Sequence, residues 1–232
     1  MTWHLREGRT EVCGEKLVMH LRYINILVIL KHDIMTLFTD SQIINRYQQE
    51  YRRRRIRESR NFSDSTILNE NRQIADSKKE FDIFLSHSSN DNKIIAGLTL
   101  ILQDLGYSVY VDWTDPYLDK NNVTPETASV LKERMKQCKS MIYAFSENAT
   151  NSKWMPWELG CFDGLKNSRI AVLPISQTIK NSYKGTEFVG LYYYIQFDTI
   201  KGTNKKAIWV CDGDKYVNYL YWLSGKSPFK HT

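Results

Sequence analysis

The sequence predicts an α/β fold with a parallel sheet, and two observations support this prediction. Short apolar runs typical of buried strands alternate with segments whose apolar residues recur at helical spacing, over about 95 residues from Phe81 onward. Hydrophobic residues make up 42% of the chain and charged residues 25%, as in ordinary globular proteins. Strands that alternate with helices form βαβ units, whose right-handed crossovers make the strands parallel.

The predicted strands and helices follow one another in a regular order. The expected strands cover 81–86, 107–111, 140–145, 169–175 and 191–197, with an edge strand at 207–211. The expected helices cover 94–105, 124–137, 154–165 and 215–223. We expect Asn90 or Asp91 to cap the first of these helices and Gly106 to end it, while Thr124 and Pro125 begin the second.

Residues 1–78 are predicted to form an N-terminal extension with a helix and a linker, ahead of a domain at 79–232. Asp40 or Ser41 can cap this helix, whose apolar residues then recur at helical spacing. The polar residues 61–79 indicate the linker. Residues 1–34 show neither helix-capping residues nor a regular spacing of apolar residues. We interpret them either as the product of an upstream start codon or as an extra helix.

The predicted N-terminal helix ends in the basic run Arg52–Arg55. This run is interpreted either as a solvated helix end that complements the helix dipole or as an arm for an acidic partner. No aromatic residues are interleaved with the arginines, so nucleic-acid binding is not expected. The net charge of +6 is mild and carries no further conclusion.

The chain is expected to be cytoplasmic and to have no membrane role. Its apolar run at 23–30 is far shorter than the roughly 20 residues that span a bilayer, and no small-residue cleavage site follows it. The four cysteines are scattered and form no CxxC pair, which favours reduced thiols and argues against a metal site.

Polar side chains follow the predicted strands at the sheet edge where ligands bind in parallel α/β folds. The helix predicted at 154–165 begins close to that edge and adds an indole and a carboxylate four residues apart, on one helix face. We expect a site there, and its candidate residues are Ser86, His87, Ser88, Asp112, Trp113, Ser146, Trp154 and Glu158.

Three of these segments, in this order and spacing, resemble a bacterial TIR domain. They are the strand that ends in Ser86-His87-Ser88-Ser89, the strand at 107–112, and the helix start Ser152-Lys153-Trp154-Met155-Pro156-Trp157-Glu158-Leu159. The resemblance covers about residues 79–175 well and weakens toward the C-terminus. It implies a flavodoxin-like doubly wound parallel sheet, the TIR fold, preceded here by the N-terminal helical extension.

Many TIR domains cleave NAD⁺ between nicotinamide and ribose, with a catalytic glutamate in a W-x-x-x-E arrangement that Trp154 and Glu158 match. The resemblance therefore implies an NAD⁺ glycohydrolase or cyclase with Glu158 as catalytic residue and the other candidates as substrate contacts. NAD⁺ is the substrate, and no separate cofactor or metal is expected. Relatives of this kind act in antiphage defence, including Thoeris systems, so self-association and an effector that senses the nucleotide product are further expectations.

Two other functions stay open at this point. One is a non-catalytic TIR interaction module that uses the loop at 112–123 for self-association, and the other is a nucleoside deoxyribosyltransferase-like enzyme. A glutamate early in a helix is favoured by the helix dipole alone, and a tryptophan there is often a core residue. The chain has no P-loop, no GxGxxG and no paired acids after the first strand, which argues against kinases, Rossmann dehydrogenases and response regulators.

Overall fold

A computed structural model describes residues 35–58, 80–112, 115, 118, 124–166, 169–185 and 187–231. The predictions for residues 1–34, for the linker at 61–79 and for Trp113 lie outside the described residues. The division into an extension at 1–78 and a domain at 79–232 stays a prediction. No helix among the described residues is both long and apolar enough to cross a bilayer.

From β2 to β5 the described strands alternate with α-helices, as the sequence predicts. The strands are β1 (Phe38–Thr39), β2 (Phe81–Ser86), β3 (Val109–Tyr110), β4 (Cys138–Phe145), β5 (Ile170–Ser176), β6 (Tyr193–Thr199), β7 (Lys206–Asp212) and β8 (Lys215–Asn218). The α-helices are α1 (Asp40–Glu58), α2 (Asn92–Asp104), α3 (Pro125–Lys136), α4 (Trp154–Lys166) and α5 (Tyr219–Leu223). Short 3₁₀ turns cover Glu147–Asn151 and Glu187–Leu191.

The strands form one sheet in the order β3-β2-β4-β5-β6-β7-β8, and β1 pairs with the end of β5. The strands from β2 to β6 are parallel to their neighbours, and β7 and β8 extend the sheet in antiparallel fashion. The order reverses between β2 and β4, as in flavodoxin-like folds. The predicted doubly wound parallel sheet is therefore confirmed, and the antiparallel extension is an addition to it.

Both faces of the sheet are covered by helices. One face packs apolar residues of α1, α2 and α5, such as Ile43, Leu98 and Trp222, against the strands. The other face packs residues of α3 and α4, such as Leu131 and Phe162. Parallel strands buried on both faces read as continuous apolar runs rather than alternating ones, which is the pattern that the sequence shows.

The caps of the first three helices are only partly as predicted. Thr39, rather than Asp40 or Ser41, caps α1: its hydroxyl accepts from the backbone N of Gln42, and its own backbone N donates to Gln42 Oε1. This reciprocal pair is a capping box. Thr124 caps α3 as predicted, because its side chain accepts from Thr127 N. Asp91 lies at the cap position of α2, but its side chain makes no capping hydrogen bond.

Two predictions near the C-terminus were wrong. The segment at 207–211 is not an edge strand, because β8 pairs with it on its outer side. The predicted helix at 215–223 is a strand followed by a short helix, which Asn218 caps by accepting from the backbone N of Leu220. A two-residue turn with Gly213 at φ +60° joins β7 to β8 and explains the hairpin, because glycine adopts this conformation without steric cost.

Candidate active site

Glu158 lies on the buried face of α4. The buried positions of this helix are Met155, Glu158, Leu159 and Phe162, a spacing that marks one helix face. The side chain of Glu158 is fully buried, and acidic residues are rarely so unless partners hold them. The first turn of α4 holds no acidic residue, so the helix dipole does not account for a glutamate at this position. A carboxylate within an apolar stripe points to a specific local role.

Ser86 holds this carboxylate. It is the last residue of β2, and its hydroxyl donates a hydrogen bond of 2.6 Å to Oε2 of Glu158. The bond is at the short end of the range for hydroxyl donors, about 2.5–3.0 Å, so the carboxyl group is held closely. The pair fixes Glu158 at the carboxyl end of β2, beside the point where the strand order reverses. Ligands of open parallel sheets bind at this position.

Tyr143 lies beside this pair on the neighbouring strand β4. It is the parallel partner of Ser86 in the sheet register, so both side chains leave the same face. Burial, and to a smaller extent the nearby charge of Glu158, raises the pKa of Tyr143 to about 12. Its phenol therefore keeps its proton near neutral pH, and the carboxylate has a neutral polar neighbour.

His87 connects the residues after β2 with those after β3. Its Nδ1 lies 2.9 Å from the carbonyl oxygen of Leu85, which can only accept, so Nδ1 carries the hydrogen. Nε2 then faces Oδ1 of Asp112 at 3.5 Å. Both side chains are buried. Two of the predicted site residues are thus in contact, and they lie at the same edge of the sheet as Ser86.

Ser146 and Ser88 belong to a second polar cluster, centred on Asp91. The Asp91 carboxylate accepts from the hydroxyl of Ser146 at 2.5 Å and from Nδ2 of Asn148 at 2.6 Å. The backbone N of Asp91 donates to the carbonyl oxygen of Ser88. These contacts explain why Asp91 does not cap α2, since its two carboxylate oxygens are engaged by the segment after β4.

Trp154 opens α4 and is partly exposed. Its ring meets the ring of Trp157 edge-on, with the two centres 5.4 Å apart. Nζ of Lys132 lies 5.9 Å from the centre of the Trp157 ring. The first turn of α4 therefore presents a pair of indoles, of which Trp154 lies one turn ahead of the buried Glu158 and Trp157 directly precedes it. Trp113, which we predicted to border the site, lies outside the described residues.

Sequence reasoning missed two residues of this region. Tyr143 was assigned only to a buried strand, although strand periodicity places it and Phe145 on one face. Asp91 was considered only as a helix cap, although it closes a polar segment that follows a buried strand. Among the described residues, no group of three or more His, Cys, Asp or Glu side chains is arranged to hold a metal ion. The assigned roles of the site residues stay predictions.

Comparison with known proteins extends these observations. The sequence profile described as "TIR domain" matches residues 83–207. One relative, the "Probable 3' cyclic ADP-D-ribose synthase ThsB'" of Bacillus cereus (strain MSX-D12), is 43% identical over 196 residues, which are 82% of this chain and 98% of the relative. Another, the "Putative cyclic ADP-D-ribose synthase TIR2" of Cytobacillus dafuensis, is 34% identical over 84 residues, 35% of this chain and 22% of the relative. The chain belongs to the TIR domain family.

Proposed function

We propose that this chain cleaves NAD⁺ between nicotinamide and ribose and closes the remainder into a cyclic ADP-ribose, with Glu158 as the catalytic residue. The observation that carries the proposal is the fully buried carboxylate that Ser86 holds at the carboxyl end of β2. The names of the two relatives, both cyclic ADP-D-ribose synthases, support the class of product. NAD⁺ is the substrate, and the reaction needs no separate cofactor.

A single carboxylate suits this bond. Most glycoside hydrolases use two, because a sugar oxygen leaves poorly without a proton. Nicotinamide leaves from a pyridinium, takes the bonding electron pair and departs neutral, so no general acid is required. The remaining task is to stabilise the positive charge that grows on the ribose. A carboxylate held in a buried site interacts strongly with that charge and needs no reorganisation during the step.

Cyclisation completes the balance of atoms and charge. A 3′ cyclic product, as in the name of the first relative, requires the 3′ hydroxyl of the adenosine ribose to bond to C1 of the other ribose. That hydroxyl loses its proton as the bond forms. Glu158 accepts the proton and releases it to solvent later, which makes the same carboxylate the electrostatic stabiliser and the base. Water in place of the hydroxyl would give linear ADP-ribose.

The other candidates surround this centre. Ser86 positions Glu158 through their hydrogen bond, and the paired indoles of Trp154 and Trp157 cover the bound sugar and exclude water. The remaining contacts to the nucleotide come from residues at the ends of the strands: His87, Ser88, Asp112, Trp113 and Ser146.

The biological setting that fits this chemistry is antiphage defence in the cytoplasm, where NAD⁺ is available. In this setting the cyclic product acts as a messenger for an effector that senses the nucleotide. Self-association through TIR surfaces brings the chain into its active form. The relative from Bacillus cereus supports this setting, because its alignment with this chain covers 98% of the relative's length.

The test is to incubate the purified chain with NAD⁺ and to identify the products by mass spectrometry. The expected products are nicotinamide and a compound with the mass of ADP-ribose less one water. The Glu158→Gln variant should give neither. Glu133→Gln is the matched control, because Glu133 is an exposed carboxylate paired only with the exposed Lys136 among the described residues, and it should react like the parent. NAD⁺ left intact by the parent chain, alone and in phage-infected extract, would favour a non-catalytic TIR module.

A further inference from the structure

A cavity of about 560 Å³ opens at the carboxyl ends of β4 and β5. Phe145 and Pro174, which pair across these strands, form part of its wall, and Tyr183, Lys180 and Lys184 follow from the segment after β5. Ser146, one of the predicted substrate contacts, also lines it. Cavities of about 300–1,000 Å³ are the usual size for ligands as large as a nucleotide.

The cavity lies close to Glu158. A row of rings leads from one to the other: Tyr183 meets Phe145 at 6.1 Å between centres, and Phe145 stacks on Tyr143 at 6.4 Å. Tyr143 is the strand partner of Ser86, which binds Glu158. Since β2, β4 and β5 are parallel neighbours, the Glu158 centre and the cavity lie at the same edge of the sheet, and a dinucleotide with its glycosidic bond at Glu158 can extend along this edge toward the cavity.

The wall of the cavity offers uncommitted positive charge. Lys180 and Lys184 are both exposed, and no carboxylate of the described residues pairs with either ammonium group. The carboxylate of Glu147, which also lines the cavity, accepts from Nε2 of Gln177 at 2.7 Å. Tyr183 adds a buried hydroxyl for which the described residues provide no hydrogen-bond partner. These groups suit an anion with several acceptor oxygens.

The segment that carries the lysines is held in place by one residue N-terminal to the profile match and by one residue within it. The backbone N of Leu37, directly before β1, donates to the carbonyl oxygen of Lys180 at 2.7 Å. The side-chain amide of Gln196, on β6, donates to the carbonyl oxygen of Asn181 at 2.7 Å. Leu37 itself lines the cavity. These contacts fix the backbone at 180 and 181, so at Lys180 ligand binding has only the side chain left to order.

We infer that this cavity binds the diphosphate of the dinucleotide whose glycosidic bond lies at Glu158, with Lys180 and Lys184 as phosphate contacts. The inference rests on the proposed function and adds a phosphate subsite to it. It also gives the segment around Leu37, N-terminal to the profile match, a part in building the substrate site.

The test combines kinetics on NAD⁺ with titration of ADP-ribose into the chain. In the double variant Lys180→Ala/Lys184→Ala we expect the KM for NAD⁺ to rise about tenfold while kcat stays within about twofold, and ADP-ribose to bind about tenfold more weakly. The control Lys201→Ala/Lys226→Ala removes two exposed lysines that do not line the cavity and should match the parent in both measurements.

The two proposals fail in different ways. If the parent does not cleave NAD⁺, the proposed function is wrong, and the ADP-ribose titration alone decides the subsite. Equal ADP-ribose affinity in the parent and the double variant, or no binding to either, would overturn the subsite even if NAD⁺ is cleaved. A drop in kcat with unchanged KM would also contradict it, because a phosphate contact remote from the reacting bond contributes to binding.

Discussion

The packing of α1 against α2 at Gly97 permits a sharp prediction about stability. A Cβ atom at position 97 would lie 2.3 Å from the backbone oxygen of Ile43 and 2.9 Å from its Cγ2. The first contact is with backbone, so α1 as a whole must shift to relieve it. The Gly97→Ala variant therefore tests whether the helix at Asp40–Glu58 is firmly seated on the domain.

The expected cost of Gly97→Ala follows from two opposing effects. Overpacking of a well-filled interior costs about 1–3 kcal/mol, and this contact belongs at the upper end. Alanine gains about 1 kcal/mol over glycine in helix propensity. The net expectation is a loss of about 2 kcal/mol in the free energy of unfolding, or roughly 4–8 °C in Tm for a chain of this size.

Gly164→Ala is the matched control, because Gly164 lies in α4 and a Cβ there meets nothing within 4 Å. It should raise the free energy of unfolding by up to about 1 kcal/mol. Thermal and denaturant unfolding, followed by circular dichroism, measure both variants against the parent. If Gly97→Ala were as stable as Gly164→Ala, α1 would not be packed as described, and the cavity contact made by Leu37 would lose its support.

Three further predictions concern the candidate site and the N-terminal helix. Ser86→Ala should lower kcat for NAD⁺ cleavage about tenfold and leave KM within about twofold, because it removes the hydrogen bond that positions Glu158. Steady-state kinetics measure both constants, and an unchanged kcat would exclude the positioning role. Thr39→Ala should lower the free energy of unfolding by about 1 kcal/mol through loss of the capping box, and denaturant melts measure this change. A free energy of unfolding equal to that of the parent would contradict the cap. Hydrogen bonds from Arg53 lower the pKa of Glu50 from 4.5 to about 2, so the folded state gains stability from this group above pH 4.5 and loses it as the pH falls toward 2. The free energies of unfolding of the parent and of Glu50→Gln should therefore converge as the pH falls through this window. A difference between them that stays constant would exclude the linkage.

The basic helix end is exposed at Arg52, Arg53 and Arg55, but part of its charge is paired within the helix. Arg46, Arg53 and Arg54 all contact the buried carboxylate of Glu50, which lies two residues before the arginine run. The helical spacing i, i+3 and i, i+4 makes such pairs readable from sequence. Burial of Glu50 depends on the neighbouring helix, which sequence spacing does not give. The prediction of an arm for an acidic partner is not tested by these contacts.

The parallel part of the sheet could be predicted because each strand is buried on both faces and therefore forms a continuous apolar run. The hairpin of β7 and β8 was harder to predict from the sequence. Val217, Leu220 and Tyr221 recur at helical spacing, although the first of them is in a strand. The turn residues Gly213 and Asp214 were the available signal for a hairpin. The residue spacing in this segment indicated a helix and the turn residues indicated a hairpin. The segment forms a strand because it pairs with β7.

The candidate site was predictable in its position and only partly in its contacts. The polar residues after β2 and the W-x-x-x-E spacing on α4 predicted a site at one edge of the sheet, and Ser86 and Glu158 are in contact at that edge. The hydrogen bond from Ser86 to Glu158 joins residues 72 positions apart, and such a contact depends on how α4 lies against the sheet. The same holds for Asp91, which binds Ser146 across 55 positions instead of capping its own helix.

The most direct test of the central claim is to measure nicotinamide release and NAD⁺ binding separately in the Glu158→Gln variant. Because removal of a preorganised charge from an active site costs about 10²–10³ in rate, we predict that nicotinamide release is at least a hundredfold slower. Affinity for NAD⁺ should stay within a few fold, since the variant keeps the shape of the residue and a hydrogen-bond acceptor for Ser86. Release at the parent rate would show that the buried carboxylate has no part in the chemistry.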